Sequence, residues 1–509
     1  SALFVEAGRM KGLLESMTQT KLDNQRDVVK NEKRQRIDNQ PYGQTTYKIG
    51  ETMYPEGHPY HWSVIGSMED LSAASLEDVK GFFRRYYVPN NASLANSGDF
   101  DPKEARAWVE KYFGPIPKGE EVTRPQVSMP KLDREIREQI DDRVQFPRLY
   151  MVWHSSPSFS KDEAALDTLT GILGGGKSGR LYKALQYGDN QIAQQAVIFN
   201  NTSEIGGLVQ LVAQPRPGHT LDEIEKIVLA EIEKIKTTPP TPEEMERVYN
   251  AREASFIYGM QTVGGFGGKD DQLNGYATFL GDPGHFEKDL ARYRAMTAAD
   301  VQRVARQYLT DKRYVLSVVP REAGQTSAAG PAPMSPREAM PNPSAQSAGV
   351  GQPGAAAPTG QSAPTGTASG TQGSTPSQPA GVQPMTKTEA QATQPAGAAP
   401  PQTAAPGRGS GTGTGSGRGG GTGRGQQAAK PPAQPKTDLS LLPKPKADPK
   451  LTIPAVQRRK LSNGLDVLFV EHHELPVVNM SLVIKSGAAA DPADRGGLAN
   501  LTAALIDEG

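Results

Sequence analysis

A carboxylate on a polar helical segment is the strongest candidate for chemistry in this sequence. Residues 22–43 have the composition of a polar helix closed by a turn, and they carry Gln25, Arg26 and, seven positions after Gln25, Glu32. A glutamate carboxylate can ligate a cation such as zinc, whereas most surface carboxylates are simply solvated. Because basic residues flank Glu32 in the sequence, a solvated helix carboxylate is the alternative at this position.

The histidines offer no comparable metal motif. Two imidazoles bind one ion from a helix when they are four residues apart, and no pair in the sequence has that spacing. His58 and His61 lie in an aromatic, Pro-containing loop, where packing and turn hydrogen bonds are the expected roles. His472 and His473 are adjacent in a predicted strand and therefore point to opposite faces.

Residues 171–178, GILGGGKS, match the phosphate-binding pattern GxxxxGK[ST]. That pattern requires a buried strand before it and a helix after it, but residues 161–170 have helical periodicity. We therefore expect the glycines to form a turn at the C-terminus of a helix. Nucleotide hydrolysis through Lys177 is the alternative, and it would require Mg-ATP binding that is lost in Lys177→Ala.

The amino-acid composition argues against several classes of function. Lys+Arg and Asp+Glu balance at 56 each, so no overall field indicates binding to nucleic acid. Cysteine is absent, which excludes disulfides, thiolate zinc sites and a cysteine nucleophile. No apolar run approaches the ~18 residues that a membrane span needs. The Arg-Gly run at 407–425 has three arginines and no aromatic residue for base stacking, so it is interpreted as linker.

The helices and strands that would position these residues are predicted from capping patterns and from β-rich runs. A capping-box pattern at Ser75 precedes a helix and a strand at 92–98, and the same pattern at Thr297, 222 residues later, precedes a helix and a strand at 314–319. This repeat predicts two tandem domains of one fold. The fold class is α+β, with α/β-sandwich domains in which helices pack on mostly antiparallel sheets.

Residues 322–450 contain no aromatic residue and are dominated by Pro, Gly, Ala, Ser, Thr and Gln, which predicts a long disordered linker. We place a first domain at 1–130, a second of the same fold at 131–321, the linker at 322–450, and the start of a third domain at 451–509. The third has an Asn-Gly turn, two strands at 465–470 and 477–485, and a helix near Gly497. Because these elements cannot close a core, the sequence is expected to be a piece of a longer protein.

Residues 22–43 closely resemble the insulinase/pitrilysin-type zinc metallopeptidases. In that family an inverted motif, H-x-x-E-H, lies on an early helix, and a later helix carries E-R-x-x-V-x-x-E, whose last Glu is the third zinc ligand. The pattern stands here as QRDVVKNE over 25–32, which implies that Glu32 is a zinc ligand supported by Gln25 and Arg26. Gln25 departs from the acidic residue of the family. Further matches lie at 41–43, 58–71, 89–101 and 174–185.

The resemblance also implies which residues are missing. The H-x-x-E-H motif would precede Ser1, so this chain is expected to hold no catalytic residue and to be inactive by itself. In the third unit, the His, Glu and His of a second H-x-x-E-H are replaced by Asn500, Ala503 and Ala504, so that half is expected to be non-catalytic.

The function implied for the intact protein is a zinc-dependent endopeptidase that cleaves peptides or unfolded segments in a chamber between two halves. The alternative is a non-catalytic family member that serves as a peptide-binding or assembly subunit, and an intact H-x-x-E-H upstream of Ser1 would decide between them. We expect zinc as cofactor, peptide as substrate, pairing with the other half or a homologous subunit, and a bacterial periplasmic or secreted location.

Overall fold

The computed structural model describes residues 2–124, 126–188, 191–265, 267–321, 455–473 and 477–506. The linker predicted at 322–450 lies outside these residues. None of the helices in the described part is long and apolar enough to cross a bilayer. The helices are α1 (Ala2–Ser16), α2 (Gln19–Lys33), α3 (Thr45–Met53), α4 (Met68–Ala73), α5 (Leu76–Tyr86), α6 (Pro102–Phe113), α7 (Glu163–Gly174), α8 (Arg180–Leu185), α9 (Leu221–Thr237), α10 (Pro242–Gln261), α11 (Lys269–Phe279), α12 (Phe286–Arg294), α13 (Ala298–Tyr308) and α14 (Leu498–Leu505).

The strands form two sheets, called sheet A and sheet B below. Sheet A has four strands in the order β7-β8-β1-β9, and sheet B has five in the order β2-β6-β3-β5-β4. The strands are β1 (Ala92–Gly98), β2 (Ile136–Asp142), β3 (Arg148–Ser155), β4 (Ala193–Thr202), β5 (Gly207–Pro215), β6 (Tyr314–Pro320), β7 (Gln457–Lys460), β8 (Asp466–Glu471) and β9 (Val478–Ile484).

The helix starts predicted from capping patterns are confirmed. At Ser75, before α5, and at Thr297, before α13, the cap side chain accepts a backbone N–H while the acidic side chain three residues on accepts the cap's own N–H. Asp101 caps α6 by accepting from Lys103 and Glu104, and Pro102 occupies the first helical position. Each cap satisfies donors that a helix N-terminus leaves free, which is why these short motifs locate helices reliably.

Sheet B packs on α7, α9 and α13 over one apolar core. Its β2–β6 pair is parallel and the other pairs are antiparallel. Trp153 on β3 is buried, and its indole Nε1 donates to the carbonyl of Thr310 at 2.8 Å. A buried indole with its N–H satisfied adds apolar area without a polar penalty.

The strands of sheet A come from two distant parts of the chain. β1 lies between β8, which runs parallel to it, and β9, which runs antiparallel. Leu94 of β1 and Val467 of β8 are register partners, and both are buried in one cluster with Phe113 of α6. Residues on either side of the 322–450 segment therefore share one sheet and one core. The domain boundaries drawn from the sequence stay predictions.

The two sheets are built in the same way. In sheet B, β6 follows capped α13 and pairs with β2 in parallel and β3 in antiparallel; in sheet A, β1 follows capped α5 and pairs with β8 in parallel and β9 in antiparallel. The helix that follows β3 or β9, namely α7 or α14, packs on the capped helix of its own sheet. The spacing of 222 between the capped helices holds in the structure, and the tandem α+β fold class is confirmed.

Candidate functional site

Helix α2 is fixed by its cap and its apolar face. The Thr18 hydroxyl accepts from the backbone N–H of Lys21 at the helix start. Leu22 and Val29, two turns apart, are buried in a cluster with residues of α5 and α14. The spacing of seven between these apolar residues puts them on one side of the helix, so the rotation of α2 against its neighbours is set.

Arg26 ties α2 to the connection between α4 and α5. Its Nε donates to the carbonyl of Leu71 at 2.9 Å, and one terminal nitrogen donates to the carbonyl of Ala74 at 2.6 Å. The other terminal nitrogen pairs with Asp23 at 2.6 Å. Gln25, the neighbour of Arg26, is half-buried. Arg26 thus fixes the middle of α2, and the predicted ligand Glu32 lies in the last turn of the same helix.

Glu32 lies one turn after Val29, near the end of α2. Its side chain is 36% exposed, and its carboxylate pairs with the Arg36 guanidinium at 2.8 Å. The Glu32 carboxylate thus has a local ion-pair partner, as is expected of a solvated carboxylate on a helix. Arg26 pairs with Asp23, whereas Glu32 pairs with Arg36. Its role as a metal ligand stays a prediction.

The residues present do not by themselves fit zinc. Catalytic zinc takes three protein ligands and a water, and within the described residues no group of three or more His, Cys, Asp or Glu could hold a metal ion. Glu32 offers one ligand at most, so the remaining ligands would have to come from other residues.

Helix α14 packs directly against the helix that carries Glu32. Leu498, Leu501 and Leu505 of α14 lie in the same buried cluster as Leu22 and Val29 of α2. The positions aligned with H-x-x-E-H are therefore on a helix beside α2. No local sequence signal indicates this contact between α14 and α2; the recurrence of the sheet pattern was the signal that could have found it.

The start of α14 is held by a buried carboxylate. Asp491 accepts the backbone N–H groups of Gly497 and Ala499, each at 2.8 Å. Burial raises the pKa of Asp491 to about 7. Gly497 adopts φ +91 against the backbone of the Ile65–Gly66 loop, where a side chain would clash. These contacts seat α14 on the N-terminal part of the chain.

The histidine loop is a packing cluster, as the sequence indicated. His58 is buried, stacks on Tyr54 with ring centroids 4.8 Å apart, and accepts from the backbone N–H of Tyr60 through Nδ1. His61 Nδ1 bonds the carbonyl of Tyr54 at 2.7 Å. His154 of β3 also packs on Tyr54, which joins this loop to sheet B.

Acid is expected to weaken this cluster. Burial, together with nearby His154 and His61, lowers the pKa of His58, so its contribution to stability is present above the ordinary pKa near 6.5 and is lost as the pH falls below it. His58→Asn keeps a possible acceptor for Tyr60 without titrating. Urea unfolding at pH 7.5 and 5.0 should therefore show a smaller acid loss for His58→Asn than for the natural chain.

His473→Asn is the control, because the pKa of His473 is shifted in the opposite direction from the pKa of His58. Hydrogen bonds to Asp99 and Glu471 raise the pKa of His473, so its contribution is present at low pH and is lost as the pH rises. An acid loss that is unchanged in His58→Asn would contradict the role assigned to the buried imidazole.

The glycine-rich run is a helix-end turn. α7 precedes it, residues 176–178 form a single tight turn, and α8 follows. No strand leads into Lys177, so the geometry that a phosphate loop requires is missing. The expected turn is confirmed.

The second unit carries a near copy of the α2 pattern that sequence reasoning missed. Residues 246–253 of α10 read ERVYNARE, with an acidic residue, an arginine and a final glutamate at the same spacing as in 25–32. α10 packs on α7 as α2 packs on α14. Here Glu253 pairs with Arg294. The matching seven-residue spacing was a signal available in the sequence.

A buried ionic network fills the space beside α7 and α10. Arg252 of α10 donates to the Tyr293 hydroxyl, which in turn donates to Asp167 of α7, each at 2.8 Å. Arg292 of α12 pairs with Glu163 of α7 at 3.0 Å and also with Asp289. Burial raises the pKa of Tyr293 well above its usual range. The hydrogen bonds and ion pairs of this network thus connect α7, α10 and α12.

Comparison with known proteins finds a family match over one part of the chain. Residues 73–252 match the family described as Peptidase M16 inactive domain. The chain is 27% identical to the zinc protease PqqE of Helicobacter pylori and 21% identical to a probable mitochondrial-processing peptidase subunit beta of Arabidopsis thaliana, over 56% and 59% of its length. It spans 64% and 57% of the lengths of those two relatives.

Solved structures share the fold. A protease from Helicobacter pylori superposes with a TM-score of 0.53 at 24% identity, covering 60% of this chain and 73% of that one. A peptidase M16 inactive domain from Pseudomonas fluorescens superposes with a TM-score of 0.51 at 16% identity, covering 60% and 72%. The helix-covered sheets described above are thus a known arrangement.

Proposed function

We propose that this chain, whose residues 73–252 match the Peptidase M16 inactive domain, supplies Glu32 and a peptide-enclosing scaffold to a zinc-dependent endopeptidase. The two histidine ligands and the general base would come from residues outside these 509. Peptides or unfolded segments would be enclosed between two halves, and size would select substrates more strongly than sequence. A bacterial periplasmic or secreted location is part of the proposal.

One observation carries the proposal: the helix with the pattern QRDVVKNE is held rigidly in place. Val29 and Leu22 are buried, and Arg26 bonds two backbone carbonyls of the adjoining connection. A ligand must be held on a rigid element to meet a metal at the right distance. Glu32 lies three residues after Val29 on the same fixed helix. Its partner Arg36 is exposed, and because exposed ion pairs contribute little to stability, a metal ion could displace it.

The second candidate is a non-catalytic subunit that binds peptide or helps assembly. One observation favours it: the family match over residues 73–252 is to an inactive domain. Both candidates predict that the 509-residue chain alone does not hydrolyse peptides. They differ in whether the longer protein does.

The test compares the 509-residue chain with the longer product of its gene, measuring zinc content and cleavage of a fluorogenic peptide. We expect no cleavage by the chain alone and zinc-dependent cleavage by the longer protein. Glu32→Gln in the longer protein should lower kcat/KM by about 100-fold, since loss of even outer ligand partners costs about 10–100-fold.

Asp27→Asn is the matched control, because Asp27 is an exposed carboxylate on the same helix. It should leave cleavage unchanged. Stoichiometric zinc and cleavage in the 509-residue chain would contradict the proposal, and an inactive longer protein would favour the non-catalytic subunit.

A further inference from the structure

Tyr42, in the turn that follows the helix of Glu32, has a strained backbone. Its φ is +63°, and Phe159 is the one other residue besides glycine with a positive φ in the described part of the chain. This left-handed conformation is unfavourable for a bulky side chain, and it persists only where surrounding contacts impose it. Glycine would adopt the same φ without cost, so the tyrosine side chain itself is expected to have a role.

Three contacts hold Tyr42 against sheet B. Its backbone N–H donates to the Asp142 carboxylate at 2.7 Å, and its hydroxyl donates to the carbonyl of Phe146 at 2.8 Å. The guanidinium carbon of Arg148 lies 3.5 Å from the centre of the Tyr42 ring. A guanidinium over an aromatic face is attracted by the electrons of the ring. The backbone, the ring and the hydroxyl of Tyr42 are thus all bound to sheet B or to its connections.

The charged partners of Tyr42 lie at one end of sheet B. Asp142 is the last residue of β2 and pairs with Pro320 of β6. Arg148 is the first residue of β3 and pairs with Val318, two residues earlier on β6. The hydrogen-bonded ladder therefore fixes the carboxylate and the guanidinium relative to each other before Tyr42 is bound between them.

The turn is also fixed to the helix end that carries Glu32. Residues 34–38 continue α2 without a break as one wide helical turn. Gly43 lies so close to this turn that an added Cβ would be 1.8 Å from one of its carbonyl oxygens. Lys33, the neighbour of Glu32, is buried, and its ammonium pairs with Asp38 at 2.9 Å. The helix end and the turn therefore form one piece.

We propose that Tyr42 is a positioning residue for Glu32, because it fastens the end of α2 to sheet B. The inference rests on the proposed role of Glu32 as a zinc ligand. Arg26 fixes the middle of α2 through two backbone carbonyls, and Tyr42 fixes the chain beyond its end. Glu32 lies between these two attachments, and its own partner Arg36 is 63% exposed. The position of the carboxylate is thus set by contacts that Glu32 does not make itself.

A double-substitution cycle in the longer product of the gene tests the inference, with zinc affinity measured by competition with a fluorescent chelator. Tyr42→Asn removes the ring contacts, and asparagine tolerates a positive φ better than most residues. This variant should bind zinc about 10-fold more weakly, since loss of a supporting partner costs about 10–100-fold. In a Glu32→Gln background the same substitution should cause no further loss, because Tyr42 acts through Glu32.

Two further variants are the controls for this cycle. Tyr42→Phe keeps the ring over Arg148 and the backbone bond to Asp142, so most of the zinc affinity should return. Tyr187→Asn changes a tyrosine that is 68% exposed, and it should leave zinc affinity unchanged. Additive losses in the cycle, or no loss for Tyr42→Asn, would overturn the inference alone. If Glu32→Gln itself causes no loss, the proposed function fails and the inference fails with it.

A second measurement uses the 509-residue chain and needs no metal. Tyr42→Asn and Arg148→Met remove the stacking contact from its two sides, and hydrogen exchange of peptides covering 28–38 is followed by mass spectrometry. Exchange should become at least about 5-fold faster in both variants, while peptides of α9, which packs on sheet B, should keep their rates. Unchanged rates at 28–38 would contradict the inference, and so would equal acceleration at α9, which would show a general loss of stability.

Discussion

Arg292→Met is expected to lower the free energy of unfolding by about 3–5 kcal/mol. Arg292 pairs with Glu163 and Asp289, whose side chains are 10% and 8% exposed. Removing the Arg292 cation leaves two buried carboxylates without this ion-pair partner, and breaking a buried pair in this way costs about 3–5 kcal/mol. Urea unfolding followed by circular dichroism measures the change.

Arg106→Met is the matched control for Arg292→Met. Arg106 pairs with Glu110 on the surface of α6, with both side chains half exposed, at 2.9 Å. An exposed pair of this kind contributes about 0.3–0.5 kcal/mol. A loss for Arg292→Met no larger than that of Arg106→Met would show that the network beside α7 is not a stabilising cross-link.

Asp270→Asn is expected to remove a dependence of stability on pH between about pH 4 and 6. Burial raises the pKa of Asp270 to about 6, although Ser97 and Asn479 donate to it. The folded state then binds a proton that the unfolded state releases, so stability is full below pH 4 and falls as the pH rises to 6. A shift of about two units corresponds to about 3 kcal/mol.

The free energy of unfolding, measured from pH 4 to 7, should therefore fall less steeply for Asp270→Asn than for the natural chain. Asp101→Asn is the control: backbone N–H groups of Glu104 and Lys103 lower the pKa of Asp101, so it titrates below this window. An identical slope in the natural chain and in Asp270→Asn would show that the carboxyl between α11 and sheet A is not the titrating group.

Local signals in the sequence predicted local structure well. The capping patterns at Ser75 and Thr297 located α5 and α13, and the Asn-Gly pair at 463–464 marked the turn before β8. These motifs act through hydrogen bonds within a few residues, so their consequences do not depend on the rest of the chain. The α+β class followed from the same elements.

The partners of β1 could not be predicted in this way. Pairing of Leu94 with Val467 joins residues that are hundreds of positions apart, and neither strand contains a signal for the other. Two apolar strands can pair with many others, and the observed register depends on tertiary contacts such as the shared core with Phe113. The Arg36 partner of Glu32, by contrast, lies four residues away on the same helical segment, so this local pair could have been predicted from the spacing.

The role of Glu32 as a zinc ligand is tested most directly by restoring the family motif on α14, which packs against α2. The variant Asn500→His/Ala503→Glu/Ala504→His should bind one zinc ion, measured by competition with a fluorescent chelator. Adding Glu32→Gln should weaken that binding by about 100-fold or more, and adding Asp27→Asn should not. Zinc binding that is absent, or unaffected by Glu32→Gln, would contradict the assignment of Glu32 to the metal.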